Sequence, residues 1–154
     1  MSDFLNKVFA IILIFMMLVL APLVISYKTN DMLGKRLILN DVTTFIDQVK
    51  DTAAVTQDDL DKLYLSCNSH GLSVNVTVKR LIRNEVTKET PEGTFSKTSY
   101  FAVDSFDALQ SINTGDVIQV TVEEVTVSTA RKLTYSLLKI DEGPFKFSLA
   151  GAVG

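Results

Sequence analysis

Between Lys7 and Lys28 the chain carries no charge, and its stretch VFAIILIFMMLVLAPLVIS, residues 8–26, is apolar on every side. A helix rises about 1.5 Å per residue, so this stretch covers roughly 28 Å, close to the hydrocarbon thickness of a bilayer. A helix apolar all round needs a greasy surround on all sides, which a soluble core rarely supplies over such a length. The candidate signal-cleavage junction reads LAPLVIS with Pro22 directly after Ala21, which disfavours removal by a signal peptidase. The expectation is a retained membrane helix, with Val8, Phe9, Ile11, Ile12, Ile14, Phe15, Leu18, Val19, Pro22 and Val24 facing lipid or neighbouring helices. Pro22 removes one backbone donor and is expected to kink the helix without ending it.

Charge gives a small orientation bias. Lys7 and the amino terminus lie on one side of the span, and Lys28, Lys35 and Arg36 on the other. Lys and Arg favour the cytoplasmic side, so charge alone places the larger domain in the cytoplasm.

No Pro-rich or Gly/Ser-rich linker follows the span; YKTNDMLGKRLILNDVTTFIDQVKDTAAV continues with helical spacing. Met32, Leu39 and Ile46 recur at heptad intervals, Val42 and Val49 follow three residues after the last two, and Phe45 widens the stripe. These six are expected to pack the helix onto a domain, with Gly34 as a second bend. One helix is therefore predicted from about Asn6 to Asp51, bare in its first half and amphipathic in its second. The chain divides into residues 1–26, tail and spine helix, and residues 27–154, a domain that includes the amphipathic continuation.

Thr56 and Asp59 form a capping-box pattern for a short helix with Leu60, Leu63 and Tyr64 inward, ended by Gly71. Leu72, Val74, Val76 and Val78 then alternate with polar residues as a strand, and Pro91-Glu92-Gly93 reads as the turn into a second strand over Thr94–Val103. Ser105 caps a helix reaching Ile112. In VIQVTVEEVTV the apolar phase of 118, 120 and 122 shifts to 125 and 127, which places Glu123 and Glu124 at a β-bulge as solvated charges. Ser128 caps a helix with Ala130, Leu133 and Leu137 on one face and Arg131 and Lys132 on its exposed side. Phe145, Phe147, Leu149 and Val153 alternate as a last strand. The predicted fold is α+β, a long N-terminal helix backing a small, mainly antiparallel sheet.

The parts of a catalytic site are scarce. The single cysteine, Cys67, excludes an internal disulfide, and the single histidine, His70, makes with it a C-x-x-H pair that lacks further Cys or His to close a zinc site. Asn75-Val76-Thr77 matches a glycan acceptor but falls inside a strand. The 15 basic residues are scattered and the formal net charge is −3, which argues against nucleic acid as a partner. The expectation is a non-enzymatic protein without cofactor, metal or small-molecule substrate.

The order of elements resembles the type IV pilin architecture: an apolar N-terminal helix with a proline in its later part, running into an amphipathic half that backs an antiparallel sheet. More narrowly, FIDQVKDTAAVTQDDLDKLYLSCNSHGLSVNVTVKR, followed by GDVIQVTVEE, a short helix and a last strand, is similar to the TadE-like pseudopilins of Flp/Tad systems. The resemblance implies a subunit of a pilus or its assembly complex in the bacterial cytoplasmic membrane, single-pass, with the domain outside the cell. Its partners would be lipid and other copies of itself or related pilin-like subunits. No glycine precedes Gly34 and residue 5 is Leu5, so the chain departs from the processed-pilin pattern of a leader glycine and a glutamate five residues into the helix. The alternative is a monomeric, signal-anchored binding component of a secretion or conjugation apparatus.

Overall fold

The computed structural model describes residues 2–90, 93–139 and 143–154. Helix α1 (Ser2–Phe15) passes through a π-helical turn (Met16–Leu20) into α2 (Ala21–Thr52). Together they make one helical rod, Asp3–Thr52, of 50 residues. It is long and apolar enough to cross a membrane: its most apolar stretch has a mean hydropathy of 3.2, with 0% of that window buried against the rest of the chain.

The expected effect of Pro22 takes a specific form. A proline at this position cannot donate to the Leu18 carbonyl and crowds it. The turn directly upstream is widened instead, and the Ala21 N–H bonds to the Met16 carbonyl, five residues back. That bond keeps the Ala21 N–H paired within the helix, where lipid could not satisfy it.

After α2 comes α3 (Gln57–Ser69), capped at its start by Thr56 and Asp59 as the sequence predicts: the Thr56 hydroxyl accepts from the Asp59 N–H at 3.2 Å, and the Asp59 carboxylate accepts from the Thr56 N–H at 3.1 Å. Strands β1 (Val74–Thr90), β2 (Gly93–Val103), β3 (Val117–Glu124) and β4 (Lys146–Ala152) form one antiparallel sheet in the order β2-β1-β3-β4. The four residues Phe106–Leu109 make α4, and Thr129–Leu138 make α5. Helix α4 is shorter than expected, with Ile112 beyond its end but still buried. Pro91 and Glu92 of the predicted turn lie outside the described residues, as do the side chains of Ala130 and Leu137; the ladder closes at Thr90 opposite Gly93.

One sheet face carries the core. Val74 of β1 and Ile118, Val120 and Val122 of β3 meet Ile38, Val42, Phe45, Ile46 and Val49 of α2, and Leu63 and Cys67 of α3. The opposite face is polar: Gln119 Nε2 donates to Ser148 Oγ at 2.9 Å, and Thr121 Oγ1 lies 3.1 Å from the same hydroxyl. Beyond Leu81, where its pairing with β3 ends, β1 continues with β2 alone as a two-stranded arm.

Two sequence expectations change. The β3 ladder runs without a bulge from Val117 to Glu124, so Glu124 keeps the inward phase of Ile118, Val120 and Val122 and is buried. Its partner is Arg131, itself buried on α5 instead of exposed. Val125 and Val127, whose apolarity suggested a phase shift, follow the strand in the connection to α5.

The packing stripe of α2 also differs. Val42, Phe45, Ile46 and Val49 are buried, but Met32 and Leu39 are 64% and 42% exposed, and Gly34 and Ile38 take their place. At about 100° per residue, the buried positions 34, 38, 42, 45, 46 and 49 form one broad face centred near Val49, and Leu39 and Met32 fall roughly 80° and 100° from that centre, on its margin.

Candidate functional site

The spine and its joint to the head are the features that set this chain apart. On the spine, the expected lipid-facing residues from Val8 to Val19, together with Pro22, are exposed, and Val24 is half-buried. Among the described residues α1 is exposed from Asp3 to Phe15, so this surface can meet lipid or another helix.

The joint begins at Gly34. A side chain here would meet the His70 carbonyl at 2.8 Å, and Leu72 lies next to it, so only a glycine lets the end of α3 close onto α2. Gly34 is thus a point of close approach within continuous helix, where a bend was expected. Gly151 serves β4 in the same way: a Cβ there would overlap Ile46 and Lys50.

Polar contacts reinforce the joint. Asp41 on α2 accepts hydrogen bonds from the Ser66 hydroxyl and contacts His70 Nε2 at 2.8 Å, tying the last turn of α3 to the rod. Gln48 donates to Asp59 at 2.9 Å near the other end of α3. Lys35 pairs with Asp31 at 2.8 Å, one turn apart, and its ammonium lies 5.4 Å from the Phe145 ring centroid just before β4. Helix α5 packs along α2 as well. It is held to the end of β3 by the Glu124–Arg131 ion pair, while Arg131 Nη1 donates to the Gly143 carbonyl at 2.7 Å and Glu124 Oε2 accepts from the Phe145 N–H at 3.1 Å.

A second buried charge pair organises the connection before β3. Arg80 sits on β1 in phase with Val74, Val76 and Val78; its Nε donates to Asp116 Oδ2 at 2.8 Å and its Nη1 to the Ala108 carbonyl at 2.8 Å. Burial pushes the Asp116 carboxyl up, but the Arg83 N–H and the Arg80 guanidinium outweigh it and hold the group below its ordinary value.

Residues bearing chemical potential converge only partly. Serine, aspartate and histidine meet at the joint, but the aspartate sits between the other two: both Ser66 and His70 bond to Asp41, so this arrangement gives the serine no histidine base. Cys67 faces the core, fully buried, while His70 turns to Asp41, so the C-x-x-H pair does not converge on a common ligand. Burial, with the Asp41 charge adding to it, pushes the Cys67 thiol up to about 11, away from thiolate chemistry. Among the described residues no three His, Cys, Asp or Glu side chains group to hold a metal ion. Glu123 and Glu124 point to opposite faces: Glu123 is exposed and pairs with Lys146 at 3.2 Å, whereas Glu124 is inside.

Sequence reasoning took Gly34 for a bend and missed Ile38, Arg80 and the Glu124–Arg131 pair. The signals were present for two of them: the four-residue spacing from Gly34 to Ile46, and the unbroken alternation that carries β1 from Val78 to Arg80. No protein-family model, curated protein or solved structure matches the chain.

Proposed function

We propose that this chain is a non-enzymatic, pilin-like structural subunit of a type IV or Tad-like assembly, held in the bacterial cytoplasmic membrane by its N-terminal helix with the head outside the cell. The observation that carries the reading is the single helical rod, Asp3–Thr52, whose apolar part is unburied and whose later part is gripped by the head. Such a rod can pass from lipid into a bundle of like rods without refolding. Apolar spans gain nothing over lipid from apolarity alone, so shape fit along the spine and contacts between heads would have to supply the preference for assembly. A head joined without slack fixes where those contacts fall.

The test is electron microscopy of material sheared from cells that express the chain, with mass spectrometry of its amino terminus. Filaments containing the chain support the reading, and Ile14→Arg or Leu18→Arg should abolish them by placing a charge in the span. A chain that stays monomeric in the membrane and yields no filaments contradicts it and favours the anchored binding component of a secretion or conjugation apparatus.

A further inference from the structure

We infer that the connection between β3 and α5 is a second membrane contact, with Val125 and Val127 seated in the headgroup layer beside the span. This rests on residues 8–26 crossing the bilayer, and it concerns the head, to which the reading above gives no role in the membrane.

Height along the rod places the connection. Thr129, the first residue of α5, lines a shallow cavity with Tyr27, Asn30 and Asp31 of α2. Those helix residues follow directly on the charge-free stretch that ends at Ser26. At about 1.5 Å per residue they lie roughly 2–8 Å beyond it along the rod. The headgroup layer is about 5–7 Å deep on each side of a core about 30 Å thick. Tyr27, Asn30 and Asp31 place the start of α5 at or just outside that layer, and His70, Gly71 and Leu72, which line the same cavity, tie it to the joint at Gly34.

The residues just before α5 suit the position. Val125 and Val127 are 66% and 52% exposed. Their connection is anchored at both ends: the Val125 N–H donates to the Ser73 carbonyl at 2.9 Å, and the Ser128 hydroxyl accepts from the Arg131 N–H at 3.3 Å. Tyr27 is exposed at the same level, the place where an amphipathic ring is favoured in membrane proteins, and Lys132 is exposed one helical turn into α5. Single exposed valines are ordinary on a protein surface. Two on one anchored connection at the end of a span are accounted for by lipid.

The chain has no tryptophan, so one substitution at a time gives a clean fluorescent reporter. The full chain carrying Val127→Trp, or Val125→Trp as a second reporter, would be placed in phosphatidylcholine vesicles with acyl chains brominated either near the headgroup or near the bilayer centre. Leu13→Trp reports the span, and Val86→Trp reports a site on the β1–β2 arm. The expected result is loss of emission for Leu13→Trp with deep bromines, loss for the two connection reporters with shallow bromines, and none for Val86→Trp. Quenching of Leu13→Trp with none at Val125→Trp and Val127→Trp overturns the inference and leaves the span intact. Absence of quenching at Leu13→Trp removes the span reading and this inference with it. A blue shift of Val127→Trp that follows protein density in the vesicle, without quenching by bromine, assigns the connection to a second copy and also overturns the inference.

Discussion

Leu13 and Ile38 are large aliphatic residues on the same rod, yet Leu13 is 59% exposed and Ile38 is sealed from solvent. Backbone geometry does not separate them, since both lie in α-helix. What separates them is the distribution of apolar residues around the axis. Around Leu13 every direction is apolar, so no face is singled out for a partner within the chain. Around Ile38 polar residues interrupt the apolarity, with Lys35, Arg36, Asn40 and Asp41 nearby and Leu37 and Leu39 left exposed, and the stripe through Ile38, Val42 and Phe45 is the one that packs on the sheet. Secondary structure alone therefore says little about which half holds the head and which half meets the surroundings.

The largest effect should come from breaking the head's grip on α2 at its buried charges. Arg131→Met leaves Glu124 buried without its partner and should cost about 3–5 kcal/mol, read from denaturant unfolding of the full chain in detergent micelles. Adding Glu124→Leu should recover most of that loss, because a well-packed apolar pair replaces an ion pair at little cost. Failure of the double substitution to recover would show that the hydrogen bonds to Gly143 and Phe145 matter more than the charge pair.

Next in size is a test of the stripe. Ile38→Ala removes a side chain with no solvent exposure and should cost roughly 2–5 kcal/mol, while Leu39→Ala next to it should stay within about 0.5 kcal/mol. Equal costs, or a larger one at Leu39, would contradict this assignment of the buried face.

Gly34→Val sharpens the comparison at the boundary between the halves. The added side chain would meet the His70 carbonyl, and separating α3 from α2 should cost about 1–3 kcal/mol. The hydrogen bonding of His70 to Asp41 should weaken with it, visible in the imidazole NMR signals.

The smallest effect is an alkaline limb confined to the head. The Cys67 thiol rises from 9.0 to about 11 in the folded chain, so the unfolded chain releases this proton first. Stability should therefore be unaffected by this group below pH 9 and fall as pH rises from 9 toward 11, by about 1 kcal/mol at pH 10. Cys67→Ser should remove that slope; an unchanged slope would place the alkaline titration elsewhere.

What was legible in the sequence follows the range of the interactions. The span needs only composition, and the Thr56–Asp59 cap involves residues three apart, so both could be read directly. Strand phase was legible where the alternation was clean, in 74-76-78 and 118-120-122. It misled at Glu124, because Val125 and Val127 looked like the continuing strand and a buried glutamate makes sense only with Arg131, brought in by the turn into α5. Met32 and Leu39 misled for a different reason: their heptad spacing is a pattern of supercoiled partners, while α2 packs as a single helix against a sheet. Asp41 with Ser66 and His70 was hidden entirely, since the sequence separation of 25 and 29 residues carries no local signal.

The most direct measurement of the central claim, that spine and head are one stiff body, is a pulsed electron–electron distance across the joint. Spin labels at Leu18→Cys on the spine and Asp61→Cys on α3, in a Cys67→Ser background and in lipid nanodiscs, report the separation of the two halves. A single narrow distance distribution is predicted, because α2 runs unbroken through residues 27–38 and is held at Gly34, Ile38 and Asp41. A broad distribution spanning many separations would mean a slack joint, and a slack joint contradicts the account.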